Sequence, residues 1–166
     1  AGVAADCTGR RAGGGAAGSA GCHAAGDHVL AVAAARLSEV TRGADVLARF
    51  GGEEFVVLAP LTGAGEAMRL AERMRRTLRE AAPTVPGAGA LRVTASFGVA
   101  THRPGEERAA FFARADAALY AAKAAGRDRV VAADSLPEGA AGAAEGGAAG
   151  TAPLHPAETA GLLPGA

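Results

Sequence analysis

The sequence predicts an α/β (α+β) domain in which one central, mostly antiparallel sheet is flanked by helices. Three observations carry that expectation. Stretches whose apolar residues recur at helical spacing alternate with short runs rich in β-branched and aromatic residues. Two of those runs are separated by the glycine pair Gly51 and Gly52, as in a hairpin, where glycine accepts the positive φ that a tight turn demands. The chain has 166 residues, the length of one domain and enough to bury a real core.

Residues 1–21 are expected to be a flexible segment, because "GRRAGGGAAGSAG" (9–21) holds too little apolar surface to offset its ordering entropy. The folded part is expected over 22–134. Asp27 can cap a helix whose apolar positions are Leu30, Ala33, Ala34, Leu37 and Val40, and "TRGAD" then breaks it. "VLARF" and "EFVVLAP" are the two arms of the hairpin. Between Gly65 and Ala82 a second helix carries Ala67, Leu70, Ala71, Met74 and Leu78 in one stripe, with Arg69, Arg73, Arg76 and Arg79 on other faces. It ends near Pro83. "LRVTASFGVA" (91–100) reads as a strand. A third helix over 106–126 places Phe112, Ala115, Leu119 and Ala122 on one side, with Gly126 set to cap its C-terminus. "RVVAA" is a last short strand, and 135–166 is an expected disordered tail rich in alanine, glycine and proline.

Basic and acidic residues number 17 each, so no global charge advertises a nucleic-acid polymer or an acidic membrane as partner. No apolar run approaches the roughly 18 residues of a membrane span, and the first residues lack a signal-peptide pattern. Cys7 and Cys22 have no metal-like spacing, which suits a reducing, cytoplasmic setting. A start at alanine is what a piece of a longer protein would show.

The chemistry concentrates at "RFGGEEFVVLAP" (49–60). Successive strand residues point to opposite faces, so one of Glu53 and Glu54 can be merely solvated and the other a turn residue. Alternatively, two glycines before an acid let a ligand approach the backbone, and the acid can hold a divalent cation that bridges phosphate oxygens.

"GGEEF" at 51–55 resembles the GG(D/E)EF signature of the diguanylate cyclase family, which joins two GTP molecules into cyclic di-GMP. Four further stretches match that family in order: "HAAGDHVL" (23–30), "RGAD" (42–45) five residues before the glycine pair, "VTASFGVA" (93–100) and "ADAALYAAKAAGRDRVV" (115–131). The likeness covers about 22–132. It implies a palm-like nucleotidyl cyclase architecture, Mg2+ as cofactor, GTP as substrate, cyclic di-GMP as product and a homodimer for catalysis. It makes Glu53 a metal ligand that helps deprotonate the ribose 3′-hydroxyl, with Glu54 in support. Gly51 and Gly52 then admit the phosphates, and Lys123 with Arg127 clamps the triphosphate, a role favoured over the alternative of a solvated basic helix end because both family positions are matched at the right spacing. Asp27 is either a helix cap or a guanine reader. Arg42 and Asp45 are either a loop ion pair or the product-binding inhibitory site, and Arg73 either joins that site or is an exposed helix arginine.

Upstream of His23 the family has a first strand, DxDxFKxxND, whose first aspartate holds magnesium. Counting back without gaps gives Arg10 at that aspartate, Gly15 at the lysine and Gly18 at the asparagine, with Cys22 replacing the glycine of the GH pair. The expectation is therefore a domain lacking its first strand. Two functions stay open: a cyclase, or a catalytically degenerate module that binds cyclic di-GMP through Arg42 and Asp45.

Overall fold

The computed structural model describes residues 1–11, 19–81, 84–85 and 89–137. In chain order the elements are β1 (Gly2–Arg11), α1 (Ser19–Val40), β2 (Val46–Gly51), β3 (Glu54–Leu58), α2 (Ala64–Glu80), β4 (Thr84–Val85), β5 (Gly89–Ala100), α3 (Arg108–Ala124) and β6 (Val130–Ala132), followed by one 3₁₀ turn at Ala133–Ser135. The sheet runs β2-β3-β1-β5-β4, and β6 joins β5 in parallel. All other pairings are antiparallel. The α/β expectation with a mostly antiparallel sheet holds.

The missing first strand is a correction. Residues 2–11, read from the sequence as part of a flexible arm, form β1, flanked by β3 and β5. Its small residues give little intrinsic strand preference, yet β5 pairs with it along its length and β3 pairs with Gly2–Asp6. Val3, Ala5 and Cys7 face one side while Ala4 and Asp6 face the other, the period of two that a doubly covered strand needs. Positions 12–18, which include Gly15 and Gly18, lie outside the described residues, as does most of the expected tail, 138–166.

Helices α1 and α2 cover one face of the sheet, where Leu37, Leu70, Met74 and Leu78 pack with Val3, Phe55, Val57 and Phe97. The α2 stripe, Ala67, Leu70, Ala71, Met74 and Leu78, is buried as its spacing predicts. On α1 the boundary moves. The helix starts at Ser19, so Asp27 lies within it and cannot be its N-cap; alanines 20, 24 and 25 favour continuation of the helix upstream.

Helix α3 covers the opposite face, and its buried stripe is Phe111, Ala115, Ala118, Leu119 and Ala122. Phe112, expected on that stripe, is only half-buried; Phe111 takes its place. At Gly98 of β5 the helix lies directly on the strand. A Cβ there would stand 2.2 Å from the Ala115 carbonyl oxygen and 2.3 Å from the Leu119 nitrogen, so the sequence needs a residue with no side chain. The start of α3 is fixed by Arg114, whose guanidinium donates to both carboxylate oxygens of Glu106 at 2.6 and 2.9 Å and to the Thr101 carbonyl at 2.6 Å. Those bonds hold the Glu106 carboxyl down at about 2. Its end is closed by the expected glycine: Gly126, at φ +109°, donates to the Lys123 carbonyl at 3.2 Å while Arg127 donates to that of Ala122 at 3.0 Å.

Candidate functional site

The hairpin pairs Gly51 with Glu54, which leaves Gly52 and Glu53 as a two-residue turn, with Gly52 at φ +50°. The register then aligns Glu54 of β3, Asp6 of β1 and Ser96 of β5 in one row across three strands, on the face turned toward α3. Asp6 and Ser96 are buried, at 9% and 3% exposure. Beside the row, the Cys7 N–H donates to the Glu53 carbonyl at 3.1 Å and ties the turn to β1.

Helix α3 brings the countercharge. The Lys123 ammonium pairs with Oδ2 of Asp6 and lies 3.8 Å from Oε1 of Glu54. Arg127, just past the helix end, is exposed and contributes favourable electrostatics to Glu53. These cations do not balance the acids. Burial, then the charge of Asp6, pushes the Glu53 carboxyl above its ordinary range against the opposing pull of Lys123 and Arg127. Burial also raises Glu54, with Lys123 opposing and Asp6, Asp116 and Glu53 adding to the rise. Burial, aided by Asp6 and Glu53, lifts the Cys7 thiol to about 12, so it stays a neutral core group.

The donor set here is oxygen alone: Asp6, Glu53 and Glu54. Among the described residues no three such side chains close around a common point. Carboxylate oxygens are the donor type that Mg2+ takes, commonly one or two of them beside water and phosphate oxygens. The turn is also open above, since a Cβ placed on Gly51 or Gly52 would meet nothing within 4 Å. A polyanion carrying a divalent cation can therefore lie against it.

Of the residues expected at this site, Gly51, Gly52, Glu53, Glu54, Lys123 and Arg127 gather at one end of the sheet. Asp27 lies exposed on α1. An acid that the sequence expectation did not include is Asp6, four positions before Arg10, which the register sets opposite Glu54. Asp116 was also missed.

A second cleft, of about 100 Å³, unites Arg42, Asp45 and Arg73 with Thr62, Glu66 and Arg69. The Arg42 N–H donates to Oδ2 of Asp45 at 2.8 Å, and the Asp45 N–H returns to the Arg42 carbonyl at 2.9 Å. The carboxylate thus closes the turn through backbone, and among the described residues Arg42 and Asp45 form no side-chain ion pair. Arg73 donates to the Val40 carbonyl at 3.2 Å, which fixes α2 against the end of α1.

The family model described as diguanylate cyclase, GGDEF domain, matches residues 19–129. Diguanylate cyclase DgcP of Pseudomonas aeruginosa is 46% identical over 108 residues, 65% of this chain and 16% of that protein. Response regulator PleD of Caulobacter vibrioides is 45% identical over 111 residues, 66% of this chain and 24% of that protein. The solved GGDEF domain of DgcB from Caulobacter crescentus, in complex with c-di-GMP, is similar with a TM-score of 0.69 at 29% identity, covering 81% of this chain and 77% of that one. The chain spans less than a third of the length of the curated relatives it matches. No helix among the described residues is long and apolar enough to cross a membrane. The family match begins at α1, so β1 and Asp6 lie outside it. Taken with the five motifs and the sheet that carries them, the match shows that the chain belongs to the GGDEF-domain family of diguanylate cyclases.

Proposed function

We propose that this chain is a cyclase domain that condenses two GTP molecules into cyclic di-GMP. The observation that carries the reading is Asp6, an acid on the central strand beside the glycine turn, in the role that counting along the sequence leaves vacant. Asp6 and Glu53 would hold Mg2+. When bound, the cation neutralises charge on the phosphoryl group being transferred. Gly51 and Gly52 admit the phosphates against bare backbone, and Lys123 with Arg127 clamps their oxygens. Glu53, with Glu54 in support, accepts the proton of the ribose 3′-hydroxyl as its oxygen bonds to the α-phosphorus of the other GTP; the bond from that phosphorus to the α–β bridging oxygen breaks and pyrophosphate leaves, and the same step in the opposite direction closes the ring with a second pyrophosphate. With the capping role removed, Asp27 is available to accept hydrogen bonds from guanine N1 and N2.

One such site presents one GTP, so two copies must face each other and the working unit is a homodimer. GTP as substrate places the domain in the cytoplasm. The test is product formation by the purified chain with GTP and Mg2+, followed by chromatography. Cyclic di-GMP is expected, with a loss of at least about 100-fold in Asp6→Asn, the order seen when a charge-stabilising group is removed. No product where an active relative gives it, or an unaffected Asp6→Asn, would sink the proposal.

The second cleft supports a companion reading, in which Arg42, Asp45 and Arg73 bind cyclic di-GMP as a regulatory or sole ligand. A cleft of about 100 Å³ takes a base edge or one phosphate and leaves the rest of the molecule outside. Calorimetric titration with cyclic di-GMP should show binding that Arg42→Ala weakens at least tenfold, the scale of one charge-assisted contact; equal affinity in the variant rules this out.

A further inference from the structure

We propose that Arg75 of α2 is a positioning residue for Arg127, locking the turn after α3 in the left-handed conformation that turns Arg127 toward the acidic cluster. The inference rests on the proposal that this cluster receives a GTP triphosphate. Three consecutive residues there have positive φ: Gly126 at +109°, Arg127 at +61° and Asp128 at +46°. Only the glycine adopts this region without cost; an arginine and an aspartate stay in it when their surroundings hold them.

The hold comes from Arg75, far away in sequence. Its Nη1 donates to Oδ1 of Asp128 at 2.7 Å and to the Asp128 carbonyl at 3.3 Å. Its Nε and Nη2 donate to the two carboxylate oxygens of Glu72 at 2.9 Å each. The guanidinium is thus spent in a planar fork between one helical turn of α2 and the backbone of the strained turn, and its side chain is only 15% exposed. Arg79 also reaches Asp128, but from 3.6 Å and with 54% exposure, so it supplies charge without geometry. On the far side, the Arg129 carbonyl accepts from the Phe97 N–H at 2.9 Å, anchoring the exit of the turn to β5. Arg127 therefore sits between two fixed points, Asp128 held by α2 and the capped end of α3. Its orientation depends on both.

The test is a double-mutant cycle on GTP affinity, read by calorimetry with GTP and Ca2+ to suppress turnover. Arg127→Ala should weaken binding about 10- to 100-fold, the range of a charge-assisted contact. Arg75→Ala should weaken it about tenfold, and the double variant should be no weaker than Arg127→Ala alone. A purely structural role would lower the melting temperature of Arg75→Ala but leave the two losses to multiply. Asp128→Ala, which removes the other end of the bond, should show the same dependence on Arg127 and serves if Arg75→Ala fails to fold. Affinity within twofold of wild type in Arg75→Ala or Asp128→Ala, or losses that multiply, would overturn the inference. No GTP binding by the wild-type chain would instead sink the cyclase reading on which it rests.

Discussion

Gly98→Ala is the substitution whose effect can be worked most directly from the structure. The new Cβ would stand 2.2 Å from the Ala115 carbonyl oxygen, 2.3 Å from the Leu119 nitrogen and 2.9 Å from the Leu119 Cα, all of them backbone atoms of α3. Ordinary contact lies near 3.5 Å, so no rotamer change helps and the helix must retreat by about 1 Å. Overpacking of this kind costs about 1–3 kcal/mol. For a domain of this size that lowers the thermal midpoint by roughly 5–10 °C. The retreat also carries Lys123 away from Asp6, and a misplacement of about 1 Å in a reacting constellation costs about 100-fold in rate. Thermal melts followed by circular dichroism read the first effect, and cyclic di-GMP formation well below the transition reads the second. Gly43→Ala is the control, since a Cβ there meets nothing within 4 Å. If Gly98→Ala melts within a degree of wild type, α3 does not lie where this reasoning puts it.

The carboxyls divide into two groups with opposite pH dependence. Glu72 and Glu106, each held at about 2 chiefly by arginine hydrogen bonds, contribute stability that is full above their ordinary 4.5 and is lost as the pH falls toward 2. Glu53 and Glu54 are raised, so the folded state holds their protons more tightly and gains stability as the pH falls from neutrality through their folded values toward 4.5. Denaturant midpoints across pH should therefore peak on the acid side of neutrality; a monotonic fall from pH 7 downward would contradict the assignment. Glu54→Gln should stabilise the fold at pH 7 by at most about 1 kcal/mol, given the partial exposure of the group, while lowering activity; a destabilised variant would mean that the bond to Lys123 outweighs burial.

The hairpin, α2, β5 and the glycine cap of α3 were legible because each is specified locally, by glycines at turns or by apolar spacing that needs no partner. β1 was not, because alanine and glycine carry little strand preference and Gly2–Arg11 becomes a strand through pairing with β5 along its length and with β3 over Gly2–Asp6. The same blindness hid Asp6. Its place in the row with Glu54 and Ser96 is a property of register across three strands, which counting along the chain cannot see. The onset of α1 at Ser19 moved Asp27 from a cap to a helix interior for a related reason: the alanines upstream extend the helix without any apolar stripe to announce it. Arg75 and Arg114 escaped the sequence reading because their partners, Asp128 across 53 residues and Thr101 across 13, are brought near only by the fold.

Electrostatics and packing meet in α3. The chain is neutral overall, yet three acids from β1 and the hairpin turn face cations supplied from the end of this one helix, so the charge balance of the site is set by where α3 sits. Three contacts fix it: Arg114 to Glu106 and Thr101 at the start, Gly98 beneath the middle, and the Arg75–Asp128 bond just past the end. None of the three touches the carboxylates. A change at the start or middle shifts the helix as a body and moves Lys123 and Arg127 together, whereas a change at Arg75 releases Arg127 and leaves Lys123 on Asp6. The two kinds of perturbation therefore separate in the affinity for a triphosphate: the first removes both cations from their partners, and the second removes one.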